Sequence, residues 1–97
     1  MVIISKVAIN EFIKQYADSE EPLMRWYATA KNANWANFNQ MRQTYNSVDA
    51  TGNDLYVFNI KGNDYRLVCR IIFGVRTIYV KFIGTHGQYD KLDLTKL

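Results

Sequence analysis

One cysteine, one histidine and one proline are all that this sequence offers of three residue types that often organise small proteins. Cys69 has no partner for an intramolecular disulfide, so the fold must be held by its own core, and a reducing compartment is expected. Because it sits inside an apolar run, Cys69 is read as a core residue. One His, one Cys and scattered carboxylates give none of the recognised metal-ligand spacings, so no metal and no cofactor is expected. Equally missing are a phosphate-cradling glycine loop, a nucleophile elbow and a dinucleotide fingerprint, which removes the enzyme classes with strong signatures. The amino-terminal MVIISK is too short for a membrane span or a signal peptide and passes straight into a polar helical pattern. A cytoplasmic protein without a membrane partner is expected.

What the sequence does have is a high aromatic content, with seven Tyr, five Phe and two Trp in 97 residues, and nearly half its residues apolar. That suffices for one compact domain spanning 1–97, with a few large side chains supplying much of the buried area. A second domain would not fit, and nothing in the composition suggests disorder. The net charge is only +3, but it is unevenly placed. Residues 1–54 carry five Lys/Arg against six Asp/Glu, and residues 55–97 carry seven against three. A basic surplus confined to one half is what a polyanion-binding surface needs, although many globular domains have similar local surpluses.

The order of elements predicts an α+β fold. Val2–Ile4 reads as a short strand, with Ser5 as the cap of a helix from Lys6 to about Ala17 whose apolar face is Ile9, Phe12, Ile13 and Tyr16. The cluster Asp18, Ser19, Glu20, Glu21 and Pro22 starts a second helix, with Leu23, Trp26, Tyr27 and Ala30 on its inner face. Asn34 is placed as the cap of a short third helix to about Gln43, burying Trp35, Phe38 and Met41. Residues 44–54 read as a loop.

From Leu55 the pattern changes to an antiparallel meander: LYVFNIK, a Gly62-Asn63 turn, DYRLVCRIIF, a turn at Gly74, and TIYVKFIGTH. Taking Gly62-Asn63 as a two-residue hairpin loop sets Ile60 opposite Tyr65, Phe58 opposite Leu67 and Tyr56 opposite Cys69, gathering one apolar face. The other face pairs Asn59 with Arg66 and Leu55 with Arg70. If Ile78, Val80 and Phe82 share the apolar face, Lys81 joins Arg66 and Arg70 on the opposite one, roughly across from Arg70, with Lys61 pointing the same way. Like charges facing each other cost up to about 1 kcal/mol per pair, so such a face asks for an acidic partner, a phosphate backbone or water. Val57, Val68 and Ile72 on that face argue against a purely solvated surface.

After the last strand, GTHGQYDKLD puts His86, Tyr89, Asp90 and Lys91 within six residues at the edge of the basic face. An imidazole suits proton transfer near neutral pH, and Asp and Tyr can orient it or exchange protons themselves. RNA cleavage without a metal needs a base near the 2′-hydroxyl, cations on the phosphate and an acid for the 5′-oxygen. The cluster and the arginines together can supply all three. Against that, a lone His near a strand end is more often a surface or capping residue, and Tyr89 suits a core position as well.

The phrases VFNIKGNDYRLV and YVKFIGTHGQYDKLD, together with PLMRWYATAKNANW, resemble the HigB family of RelE-like toxins over nearly the whole chain. The resemblance implies two to three helices packed on a small, mainly antiparallel sheet, with ribosome-dependent cleavage of mRNA in the A site. It also implies a HigA-type antitoxin partner, through which operator DNA is reached only indirectly. Arg66 falls on the arginine that contacts the scissile phosphate, with Lys61, Arg70, Lys81, Lys91 and Asn59 as companions for RNA. His86, Tyr89 and Asp90 fall on the THxxYD motif, their individual acid and base roles left open. A toxin of this fold that acts on gyrase, or a non-catalytic RNA- or protein-binding domain, is the competing reading.

Overall fold

In the computed structural model, which describes residues 1–97, the chain is α+β. Strand β1 (Val2–Ile4) leads into helix α1 (Lys6–Gln15), and after one 3-10 turn comes helix α2 (Glu20–Asn32). Helix α3 (Phe38–Thr44), strand β2 (Asp49–Gly52), strand β3 (Leu55–Ile60), strand β4 (Tyr65–Ile72) and strand β5 (Thr77–Thr85) follow, and helix α4 (His86–Asp90) continues directly from β5.

Local chemistry sets the helix ends. The Ser5 hydroxyl accepts from the Val7 amide, satisfying one of the orphan donors at the start of α1. Glu20 and Glu21 lie in the first turn of α2, where carboxylates meet the positive end of the helix dipole, and Pro22 sits where its missing N–H costs nothing. Helix α3 starts later than expected: Asn37, not Asn34, caps it by accepting from the Gln40 amide, so Trp35 is buried ahead of the helix and not on it.

The sheet order is β1-β5-β4-β3-β2, with β1 parallel to β5 and the other three pairings antiparallel. The β3–β4 register is the expected one, Asn59 opposite Arg66 and Tyr56 opposite Cys69. Its connection is not a two-residue loop, however: residues 61–64 form the turn, with Lys61 and Gly62 both at positive φ. Strand β2 lies inside the segment read as a loop. All four of its residues are exposed, so no hydrophobic alternation announces it, and it exists through backbone pairing with Tyr56 and Val57.

One face of the sheet carries the main core. Ile9, Phe12, Leu23, Trp26 and Ala30 from the helices meet Phe58, Leu67, Cys69, Ile71 and Ile78 from the strands. The Ile, Leu and Phe side chains among them contribute roughly 1.5–3 kcal/mol each by leaving water. The opposite face has its own smaller core, where Leu55, Val57 and Val68 are covered by Phe82, Tyr89, Leu92, Leu94 and Leu97. That covering explains the valines on a face that also carries arginines.

A bulge in β5 alters the second hairpin. Val68 faces Phe82 and Cys69 faces Val80, leaving Lys81 as the extra residue. Beyond it the alternation is inverted, so Ile83 joins the main core while Phe82 turns to the other face, contrary to expectation. No helix is long and apolar enough to cross a membrane.

Candidate active site

The end of β4, the hairpin tip and the start of α4 enclose a shallow cleft of about 470 Å³ lined by Asn63, Asp64, Arg66, Thr85 and His86. Arg66 projects from the second residue of β4. Its Nη1 donates to the carbonyls of Asn63 (3.0 Å) and Tyr65 (3.3 Å), which fixes the guanidinium while leaving Nε and Nη2 without a protein acceptor. Beneath it lies Tyr89, its ring centroid 6.0 Å from the guanidinium carbon, a cation–π arrangement. Tyr89 is half-buried in the smaller core, so it is both a core residue and the support under Arg66.

His86 is placed by α4. The Thr85 hydroxyl accepts from the Gln88 amide, and the Gln88 side chain accepts from the Thr85 amide at 2.9 Å, a complete capping box. The His86 amide donates to the Asp64 carbonyl at 3.1 Å, tying the helix start to the hairpin tip. One turn later, Asp90 Oδ2 stands 3.3 Å from His86 Nε2, with both side chains more than half exposed. A carboxylate there can orient the ring. Gly84, the cross-strand partner of Arg66, is buried, and a Cβ on it would lie 2.8 Å from Gln88 Oε1 and within 3.0 Å of the Phe82 ring.

Thus Arg66, His86, Tyr89 and Asp90 are gathered at one end of the sheet, with Asn59 directly across the ladder from Arg66 and Lys91 next after Asp90. The other expected cations are not gathered there. Lys61 has left-handed backbone, which breaks the alternation, and its Nζ binds Asp18 at 2.7 Å and Asp64 at 3.5 Å. Asp18 also accepts from the Tyr65 hydroxyl, so Lys61 is tied to the helical side of the hairpin. The Lys61 ammonium, then the Tyr65 hydroxyl, hold the Asp18 carboxyl below its usual range, while Asp18 raises the pKa of Lys61 and Tyr65. Arg70 faces Tyr79, not Lys81, and donates to the carbonyls of Asn53 (3.4 Å) and Leu97 (3.1 Å). Four residues along the strand put it about 13 Å from Arg66. Lys81 lies on the bulge, in a groove beside Glu11 and Lys14 of α1. No cluster of three His, Cys, Asp or Glu side chains is formed.

The family model for HigB toxins, described as the RelE-like toxic component of a toxin-antitoxin system, matches residues 19–92, which takes in every residue of this cleft. This chain belongs to the HigB toxin family. Among its HigB relatives, the mRNA interferase HigB of Escherichia coli O6:H1 (strain CFT073) is 31% identical over 94 residues, covering 95% of this chain and 91% of that one. The mRNA interferase toxin HigB of Escherichia coli strain K12 is 24% identical over 92 residues, 93% of this chain and 88% of that one. The HigB cleft has two features that the sequence reading passed over, Gly84 and the Thr85–Gln88 capping box. The second was visible in principle, because Thr-His-Gly-Gln has the spacing of a capping box.

Proposed function

We propose that this HigB-family toxin is a metal-independent endoribonuclease that cuts mRNA in the ribosomal A site and is silenced by a HigA-type antitoxin, which also supplies any contact with operator DNA. The observation that carries this reading is the single cleft in which a half-engaged guanidinium stands beside a His–Asp pair. The free Nε and Nη2 edge of Arg66 suits the non-bridging oxygens of a phosphodiester, whose charge grows in the transition state. His86, oriented by Asp90, exchanges a proton with the 2′-hydroxyl or the 5′-oxygen. The 2′-oxygen–phosphorus bond forms as the phosphorus–5′-oxygen bond breaks. In this reading Asn59, across the ladder from Arg66, and Lys91, next after Asp90, serve as further RNA contacts, and Tyr89 holds Arg66 in position.

The names carried by the E. coli relatives support the RNA target, and the toxin-antitoxin description supports an antitoxin partner. Inducible expression with and without a cognate antitoxin, followed by mapping of mRNA 5′ ends, tests the reading. The expected result is growth arrest with ends inside translated codons, relieved by the antitoxin and abolished by Arg66→Ala and His86→Ala. Arrest with DNA breaks and intact mRNA would refute it in favour of a gyrase target, and unchanged cutting by both variants would remove these residues from the chemistry.

A further inference from the structure

Asp18 does not line the cleft that holds Arg66 and His86. We infer that it is nevertheless a positioning residue for that cleft: its carboxylate clamps both ends of the hairpin turn whose main-chain carbonyls hold Arg66 and His86. The inference rests on the ribonuclease reading and adds a residue that acts on the chemistry from the helical side of the hairpin.

The clamp uses both carboxylate oxygens. Asp18 Oδ1 accepts from the Tyr65 hydroxyl, and Oδ2 accepts from the Lys61 ammonium at 2.7 Å. Those two donors are the first and last residues of the segment 61–65, which carries the chain from β3 into β4. Every carbonyl that fixes the cleft lies within this segment. Those of Asn63 and Tyr65 accept from Arg66 Nη1, and that of Asp64 accepts from the His86 amide. Lys61 also meets Asp64 across the turn at 3.5 Å.

The base of the clamp is itself tied down. Asp18 lies on the 3-10 turn between α1 and α2, where the hydroxyl of the buried Ser19 donates to the Tyr16 carbonyl at 2.6 Å. The Tyr16 and Phe12 rings then pack edge-on against Tyr65, with centroids 5.5 and 5.3 Å away. Lys61 has φ 54°, a left-handed conformation that residues with a Cβ adopt only at a cost. Such a residue persists where its surroundings over-determine it, and here two carboxylates hold its ammonium. The Lys61 and Asp18 side chains are both about half exposed, so their pairing adds little stability. Its consequence is geometric, because a shift of about 1 Å at a reacting group can slow a reaction on the order of 100-fold.

The test uses the full chain and compares Asp18→Ala, Asp18→Asn and Lys61→Ala with wild type. Single-turnover cleavage of mRNA on programmed ribosomes, well below the lowest Tm, should be about 10- to 100-fold slower for Asp18→Ala, with Asp18→Asn in between. Adding Lys61→Ala to Asp18→Ala should slow it little further, because the two act through one contact. Binding of an uncleavable 2′-O-methylated RNA should stay within about twofold, so that the loss falls on the rate and not on affinity. By NMR, the His86 amide and Arg66 Nε–H resonances should move in Asp18→Ala and stay in place in Arg70→Ala, which loses stability farther along β4. Should Asp18→Ala fail to fold, Asp18→Asn carries the same readouts. Unmoved resonances and a wild-type rate, beside an inactive Arg66→Ala, would overturn the positioning role and leave the nuclease reading intact. A slower rate with unmoved resonances would overturn it in favour of direct contact between Asp18 and RNA. Moved resonances in a protein whose wild type cuts no mRNA would support the clamp and refute the nuclease reading alone.

Discussion

Replacing Gly84 with alanine should disable the cleft without removing any proposed reacting group. Gly84 lies in β5 opposite Arg66, and an added methyl meets both the Phe82 ring and Gln88 Oε1 at less than 3.0 Å. Neither neighbour is free to swing away, because Phe82 covers the smaller core and Gln88 closes the capping box that starts α4. Forcing a methyl into a packed site costs about 1–3 kcal/mol. For a domain of this size that corresponds to a Tm lower by roughly 5–20 °C. If the methyl also displaces Gln88, α4 shifts with His86 on its first turn, and a misplacement of about 1 Å at a reacting group can cost on the order of 100-fold in rate. Thermal unfolding followed by calorimetry, with end-mapped mRNA cleavage well below the lowered Tm, measures the two effects separately. Gln88→Ala isolates the cap, whose loss alone should cost about 1 kcal/mol. A Gly84→Ala protein melting within about 2 °C of wild type and cutting at the same rate would refute the claim that this contact sets the cleft.

Arg66→Lys keeps the charge but loses the planar fork, and should lower the single-turnover cleavage rate by about 100-fold; a lysine variant cutting like wild type would show that a point charge suffices. The Asp18 carboxyl is held low by Lys61 and Tyr65, so its contribution is complete above the usual carboxylate range and is lost as pH falls through its depressed folded value. Lys61 and Tyr65 have raised folded values, so their share is complete below their ordinary range and is lost as pH rises through those values. The gap in urea midpoint between wild type and Asp18→Asn should therefore be widest at neutral pH and close in acid, and a gap of constant size down to about pH 2 would contradict the pairing. Arg70→Ala frees the Asn53 and Leu97 carbonyls, and should cost about 1–2 kcal/mol in urea unfolding and expose the end of the chain to protease, with cleavage unchanged within about twofold. Loss of cleavage matching that of Arg66→Ala would return Arg70 to the site.

The parts of the fold that were legible in the sequence are those where side-chain period and turn chemistry agree. The β3–β4 ladder follows from alternation on both sides of one glycine-containing turn, which placed Asn59 opposite Arg66, and the faces of α1 and α2 follow from their three-four spacing. Parity failed where the backbone departs from it. In TIYVKFIGT apolar side chains stand in both phases, so nothing marks the bulge at Lys81 that inverts Phe82 and Ile83. Positive φ at Lys61 likewise removes that ammonium from the face its position implied. Strand β2 could not be read because its pairing is carried by main-chain groups under wholly exposed side chains. The clustering of His86, Tyr89 and Asp90 was legible because all three fall within one short helix. The engagement of Arg70 elsewhere was not, because strand parity reports which side a residue takes and says nothing of the carbonyls of Asn53 and Leu97 that its guanidinium meets.

Tyr89 is made well after Arg66 on the ribosome, and it holds the arginine only once the minor core has closed behind it. During vectorial synthesis the guanidinium therefore emerges first and waits unsupported for its aromatic prop. The cleft of a nascent toxin is thus completed only after α4 has been made and packed, later than the strand that carries its arginine.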